Sequence, residues 1–186
     1  MVYDTTTALP NQALAKQESC SFEDFVVAYR EQAVRMAYRL TGGSQAAAED
    51  VAQEAFAKAF TSFDGFRGES AMNTWFFRIL TRKAANYRRW RGIKRKWEAI
   101  WHAQRETSSH DVLVEPAIRG AIAHAMDVLS ERQREVFTLI YLEGISMKEV
   151  CLILGCAEGT ARTHLHRANQ VLRSELKEIW GELNEV

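Results

Sequence analysis

The sequence predicts an all-α protein: two small helical domains, the second with a helix-turn-helix, joined by a flexible linker. Three observations predict this. Apolar residues recur at helical spacing through most of the chain. Only two prolines, Pro10 and Pro116, occur in 186 residues, which leaves long windows in which helices run uninterrupted. Boxes of Ser-x-x-Asp, Glu or Gln open the periodic stretches and glycines close them, the punctuation that helix ends require. A hydrophobic content of 47% supports packed cores and excludes a disordered chain.

Residues 1–20 are small and polar, with Thr5, Thr6 and Thr7 in a row, and read as a loose tail. Order is expected from Ser21, which stands three residues before Asp24. Phe22, Phe25, Val26, Tyr29, Ala33, Met36, Ala37 and Leu40 then mark one helix face as far as Gly42 and Gly43. A second helix, about 45–63, turns Ala48, Val51, Ala52, Ala55, Phe56, Ala59, Phe60 and Phe63 inward. Glu49, Asp50, Gln53 and Glu54 lie on its other faces. Acids in a first turn suit the helix dipole, so periodicity alone gives Glu49 and Asp50 a structural role.

The stretch 64–73, DGFRGESAMN, breaks the pattern with Gly65 and Gly68. A third helix is expected over about 74–92. It opens on Trp75, Phe76 and Phe77, which helical spacing cannot turn inward together, so at least one is expected at a surface. It then becomes basic through Arg78, Arg82, Lys83, Arg88, Arg89 and Arg91, followed by Lys94, Arg95 and Lys96, with no acid from Trp75 to Trp97. A solvated helix mixes signs, so this block is informative. Aromatics beside it fit a surface that stacks single-stranded bases and holds their backbone by charge.

Residues from about 98 to 116 are mixed and include the turn-prone TSSHD; they read as the linker, with a frayed helical start near 94–104. Helical pattern returns with Ile118, Ile122, Ala125, Met126 and Leu129. Ser130 and Gln133 box the next helix, about 131–143, which is expected to bury Val136, Phe137, Ile140 and Tyr141. Ser146 and Glu149 box a short helix with Val150, Ile153 and Leu154 inward, stopped by Gly155. The last helix starts near Glu158, and Ala161, Leu165, Ala168 and Leu172 form its buried stripe. Arg162, Thr163, His166, Arg167 and Gln170 point away from that stripe, as they would on a helix lying in the major groove; an ordinary helical hairpin with a solvated polar face is the plainer reading. Residues 178–186 read as an amphipathic tail.

Formal net charge is zero, so nucleic-acid binding must come from local patches or from a partner that carries most of the affinity. Cys20, Cys151 and Cys156 form no C-x-x-C pair; the latter two are expected in small buried roles. His102 and His110 lack neighbouring ligands, so no metal or cofactor is expected. No nucleophile elbow, phosphate-cradling loop or carboxylate pair supports an enzyme. No signal peptide or membrane span is evident, and a cytoplasmic protein is expected.

Three segments together resemble the bacterial sigma-70 family, specifically its extracytoplasmic-function (ECF) sigma factors: AEDVAQEAFAKAF at 48–60, FRGESAMNTWFFRI at 66–79, and LSERQREVFTLIYLEGISMKEVCLILGCAEGTARTHLHRA at 129–168. The resemblance implies a sigma-2 domain over 21–96, a linker over 97–116 and a sigma-4 domain over 117–177. It implies a subunit that binds core RNA polymerase through the clamp of the largest subunit and the flap region, reads promoter −10 and −35 elements, helps open the strands, and is held in check by an anti-sigma factor, which could tether it at the inner membrane face. Glu49, Asp50, Gln53, Glu54, Phe56 and Lys58 would then dock on the polymerase. Arg67, Ser70, Ala71, Met72, Asn73, Thr74, Trp75, Arg78, Arg82, Lys83, Asn86 and Arg89 would hold the −10 strand and its flipped base. Glu158, Thr160, Arg162, Thr163, His166, Arg167 and Gln170 would read duplex −35 DNA. Arg82 and His164 depart from the residues that the family often carries there, so no promoter sequence is inherited. The rival readings are a stand-alone helix-turn-helix regulator, which leaves the acidic helix and the aromatic-basic block unexplained, and a helical adaptor with no DNA dependence.

Overall fold

The computed structural model describes residues 21–101, 120, 122 and 124–183, with side chains for 21–92, 120, 122 and 124–177. The 1–20 tail with Cys20, the linker histidines His102 and His110, Ile118 and residues 184–186 lie outside the described residues, and so do the side chains of Lys94, Arg95 and Lys96. All regular structure among the described residues is helical.

Helix α1 (Phe22–Thr41) begins as its sequence requires: Ser21 accepts from the Asp24 amide and Asp24 answers to the Ser21 backbone. It ends at Gly42, whose φ of 86° is the left-handed conformation that a residue without Cβ adopts freely. Helix α2 (Gln45–Thr61) is capped by Ser44 and buries a face made largely of methyl groups: Ala47, Ala48, Ala52, Ala55 and Ala59, with Val51. Small side chains let α1 and α3 lie close against it. A short 3-10 turn (Phe63–Gly65) leads to α3 (Met72–Trp101), which runs well past the expected end near Gly92.

Rings supply the volume that α2 lacks. Phe76 is fully buried, stacked on Phe56 at 4.4 Å and edge-on to Phe25 at 5.3 Å. Phe77 is buried beside Tyr29. Of the three consecutive aromatics, Trp75 is the one kept near the surface, half-buried against Phe66. Phe60 departs from its expected inward place: it is 63% exposed. It lies in the last turn of α2, where its ring meets Phe22 at 5.5 Å.

Past a helical stretch at 124–128, α4 (Glu131–Phe137) starts on the Ser130–Gln133 box and continues as a π-helical segment, Thr138–Leu142. The wider π turn shifts the register. Leu139 and Thr138 are buried with Val136, while Tyr141, expected inside, is 57% exposed. Ile122 is exposed too. Helix α5 (Met147–Leu154) opens on the Ser146–Glu149 box and ends at Gly155, φ 63°. Helix α6 (Glu158–Leu183) follows, with Ala161, Ala168 and Leu172 buried as the stripe predicts.

The helices form two groups, α1–α3 and α4–α6, but their apolar surfaces merge. Val136, Leu139, Ile145, Val150 and Ile153 belong to the same cluster as Phe25, Phe76 and Leu80. A second, smaller cluster of Ala125, Leu129, Ala168 and Leu172 holds the far side of the helix-turn-helix.

Candidate nucleic-acid interface

The hairpin of α5 and α6 presents the simplest surface. All seven side chains singled out on its second helix, Glu158, Thr160, Arg162, Thr163, His166, Arg167 and Gln170, are exposed. The buried stripe of Ala161, Ala168 and Leu172 fixes which way they face. Arg162 is pre-set by Glu158, one helical turn away, at 2.5 Å and 2.8 Å. The Thr163 hydroxyl bonds back to the Gly159 carbonyl at 2.8 Å. A solvated helix with donors, acceptors and a methyl in one row has the chemistry to address base edges. Cys151, within α5, and Cys156, in the turn after it, are half-buried, and burial, then the neighbouring Cys156 thiol, pushes the Cys151 thiol up.

The basic helix α3 divides its cations between two tasks. Arg88 and Arg91 reach the Leu40 and Thr41 carbonyls at the end of α1, at 3.3 and 3.5 Å, where a cation meets the negative end of a helix. Arg82, Asn86 and Arg89 are exposed, and Arg89 faces Glu131 at 3.6 Å. Lys83 pairs with Glu54 of α2 at 2.8 Å. Arg78 sends Nε and Nη2 to the Leu152 carbonyl of α5, at 3.0 and 2.6 Å. In the loop before α3, Arg67 and Ala71 are exposed and Ser70 is half-buried; Met72 and Asn73, in the first turn of α3, are half-buried too. Asn73 accepts from the Thr74 amide at 2.8 Å. Thr74 is buried, so it supports this loop from below instead of lining its surface.

The acidic face of α2 meets the basic helix at the Glu54–Lys83 pair. Glu49, Asp50, Gln53, Glu54 and Lys58 are exposed, and Gln45 steadies Glu49 at 2.6 Å. Phe56 is half-buried, and its ring is stacked into the core on Phe76. Beside these polar residues runs an apolar groove between α1 and α2, lined by Phe22, Val26, Val27, Val34, Phe56 and Phe60. Val27 is 81% exposed there. The groove escaped the sequence reading because Phe60 sits on the expected inward stripe yet is exposed; Val27, an apolar residue off the stripe of its helix, is the signal that could have found it.

Sequence reasoning also missed three buried charges. Arg134 is 1% exposed; its Nε and Nη2 bond the Met126 carbonyl, the former at 2.8 Å, and Asp127 lies 3.3 Å from Nη2. Glu135 is buried against Arg132 at 2.9 Å, and loss of hydration raises its pKa against the pull of that arginine. Glu143, 4% exposed, pairs with Arg39 of α1 and accepts from Gln32 at 3.4 Å. Burial raises its pKa too, opposed first by Arg39.

Comparison with known proteins supplies names for these regions. The family model Sigma-70 region 2 matches residues 25–93 and Sigma-70, region 4 matches residues 119–170. The chain is 26% identical over 179 residues to the ECF RNA polymerase sigma-E factor of Escherichia coli (strain K12), covering 90% of this chain and 93% of that one. It is 28% identical over 173 residues to the RNA polymerase sigma-H factor of Pseudomonas aeruginosa, covering 87% and 89%. Among solved structures it resembles the sigma factor RpoE of Bartonella quintana, determined in complex with the anti-sigma factor NepR: TM-score 0.66, 26% identity, 84% of this chain and 96% of that chain. CnrH, determined with the cytosolic domain of CnrY, shares the fold at TM-score 0.64 and 22% identity, over 84% and 88%.

Proposed function

Because the chain belongs to the sigma-70 family, with an ECF sigma factor aligned along nearly all of it, we propose that it binds core RNA polymerase, chooses promoters by their −10 and −35 elements and promotes strand opening. The observation that carries this reading is the presence of three chemically distinct surfaces on one chain: the exposed acidic face of α2, the basic α3 and the polar row on α6.

Each surface has a task that its chemistry suits. Asp50, Gln53 and Glu54, beside the apolar groove, offer carboxylates and an amide to a basic, helical clamp, with Glu49 and Lys58 at the margin. On α3, Trp75 offers a ring edge, and Arg78, Arg82, Asn86 and Arg89 offer donors to the phosphates of a separated strand. Stacking returns about 1–3 kcal/mol per base, comparable to the cost of unstacking it, so the open state is held by binding alone and no bond is made or broken. On α6, Arg162 and Arg167 reach base edges of duplex DNA, with Thr163 and Gln170 beside them. A chain of zero net charge grips duplex DNA weakly by itself, since neutralised phosphates supply most nonspecific affinity. Tethering two weak readers to one large enzyme raises their effective concentration. An anti-sigma factor, the kind of partner in the Bartonella complex, is the expected inhibitor.

Run-off transcription with purified core polymerase over a promoter library tests this. Added chain should redirect initiation to a defined set of promoters. Asp50→Arg should abolish this by turning attraction into repulsion, with the fold unchanged. Initiation that ignores the chain, or an Asp50→Arg variant that still co-purifies with core, refutes the reading.

A further inference from the structure

The turn that joins α5 to α6 holds two thiols for which promoter reading has no task. Cys151 stands on α5 and Cys156 follows the end of that helix, with Gly155 before it at φ 63°. The left-handed Gly155 folds the chain back. The Cys151 carbonyl then accepts from the Gly155 amide and from the Cys156 amide, the latter at 3.2 Å. The second of these bonds marks a Schellman helix end, at which the side chains of the two bonded residues commonly meet. Here they do: the Cys151 and Cys156 thiols are hydrogen-bonded neighbours. A backbone bond between two residues also keeps their Cα atoms inside the range of about 4.4–6.8 Å that a disulfide spans. Both residues are half-buried, within reach of a small reagent. Glu158, which begins the polar row of α6, follows Cys156 with one residue between them.

We propose that Cys151 and Cys156 form a thiol–disulfide exchange site for a small disulfide of the glutathione class, with Cys151 as the resolving thiol that keeps adducts off the DNA-reading helix. Cys156 lies in the turn, outside the helix, and is the point of entry. Its thiolate attacks one sulfur of the small disulfide. A mixed disulfide forms on Cys156, and one small thiolate leaves and takes up the proton that Cys156 released. Cys151 then attacks the Cys156 sulfur, its proton passes to the second departing thiolate, and the link from 151 to 156 closes. Two protein thiols and one small disulfide become one protein disulfide and two small thiols, so two electrons pass from the protein to the reagent. Burial pushes the Cys151 thiol up, which makes it a slow nucleophile toward free reagents and leaves its reaction to a sulfur held beside it. A retained adduct would place a bulky, negatively charged group at the start of α6, where DNA phosphates must approach. The consequence for DNA rests on the sigma-factor reading; the exchange chemistry does not.

The test uses the full chain carrying Cys20→Ser, incubated with oxidised glutathione, quenched with an alkylating reagent and read by intact-mass and peptide-mapping mass spectrometry. With both thiols present, a transient glutathione adduct on Cys156 should give way to a Cys151–Cys156 disulfide, lighter than the reduced chain by two hydrogens. Cys151→Ser should stop at the adduct, and so should Cys151→Ala, an apolar second variant. Cys156→Ser should take up glutathione about tenfold more slowly, at Cys151 alone. Run-off transcription with core polymerase on a −35-dependent promoter gives the second readout. The chain with the internal disulfide should keep its initiation. The glutathione adduct of Cys151→Ser should lose about tenfold and recover with dithiothreitol. A persistent adduct on the chain with both thiols, no reaction at either thiol, or equal initiation by the adduct and the reduced form of Cys151→Ser overturns the proposal. If the reduced chain fails to redirect initiation at all, the sigma-factor reading fails instead, and the mass readout still decides the exchange chemistry.

Discussion

Arg134→Met replaces a buried cation with an apolar side chain of similar length, and the structure sets the size of the loss. Nε and Nη2 share one acceptor, the Met126 carbonyl, so they count as little more than one charge-assisted bond. Such a bond contributes about 1.5–3 kcal/mol, and the stranded carbonyl costs about 1–3 kcal/mol. Asp127 is largely exposed, so its pairing adds under about 1 kcal/mol. Methionine recovers part of this, because it needs no hydration and Arg134 Nη1 has no hydrogen-bond partner among the described residues. The net expectation is a loss of about 2–3 kcal/mol, or about 4–12 °C in Tm for a chain of this size. Thermal unfolding followed by circular dichroism measures it. Arg134→Lys should recover little, because an ammonium lacks the two-pronged geometry. A Tm equal to or above wild type in Arg134→Met would refute the view that this arginine ties the 124–128 stretch to α4.

Phe76→Ala removes a fully buried ring between Phe25 and Phe56 and should cost about 3–5 kcal/mol by denaturant titration. Arg162→Ala and Arg167→Ala should each weaken use of a −35-dependent promoter by about 1–3 kcal/mol in transcription assays. Arg162 should fall at the lower end, since it must first leave Glu158, a pair contributing about 0.3–0.5 kcal/mol. Glu143→Gln tests linkage. Burial raises the pKa of Glu143, so its favourable contribution is complete below the ordinary carboxylate range and is lost as pH rises through the raised value. The Tm of Glu143→Gln relative to wild type should therefore climb between about pH 4 and pH 8, and a constant difference would contradict this.

The helix ends were legible in the sequence because they are local. The Ser21, Ser130 and Ser146 boxes each form within four residues and need no distant partner. The outward row on α6 was legible for a related reason: a buried stripe at one spacing fixes the opposite face. Tyr141 was misread because the π segment widens the turn, and a period of 3.6 no longer predicts which side chain faces inward. Arg134, Glu135 and Glu143 were invisible because patterning assigns charges to water, whereas here carbonyls and opposite charges receive them. The clasp of Arg39 on Glu143 spans 104 positions along the chain, and no local rule links residues so far apart.

The alanine face of α2 has a consequence for how such a surface can change. Methyl groups set the spacing to α1 and α3, and any larger side chain at Ala48, Ala52, Ala55 or Ala59 would wedge those helices apart, at about 1–3 kcal/mol. The inner side of α2 is thus closed to variation, while Asp50, Gln53 and Glu54 ride on a mount that cannot shift. New partners can be acquired by exchanging letters on the outer side alone, with the type bed left untouched.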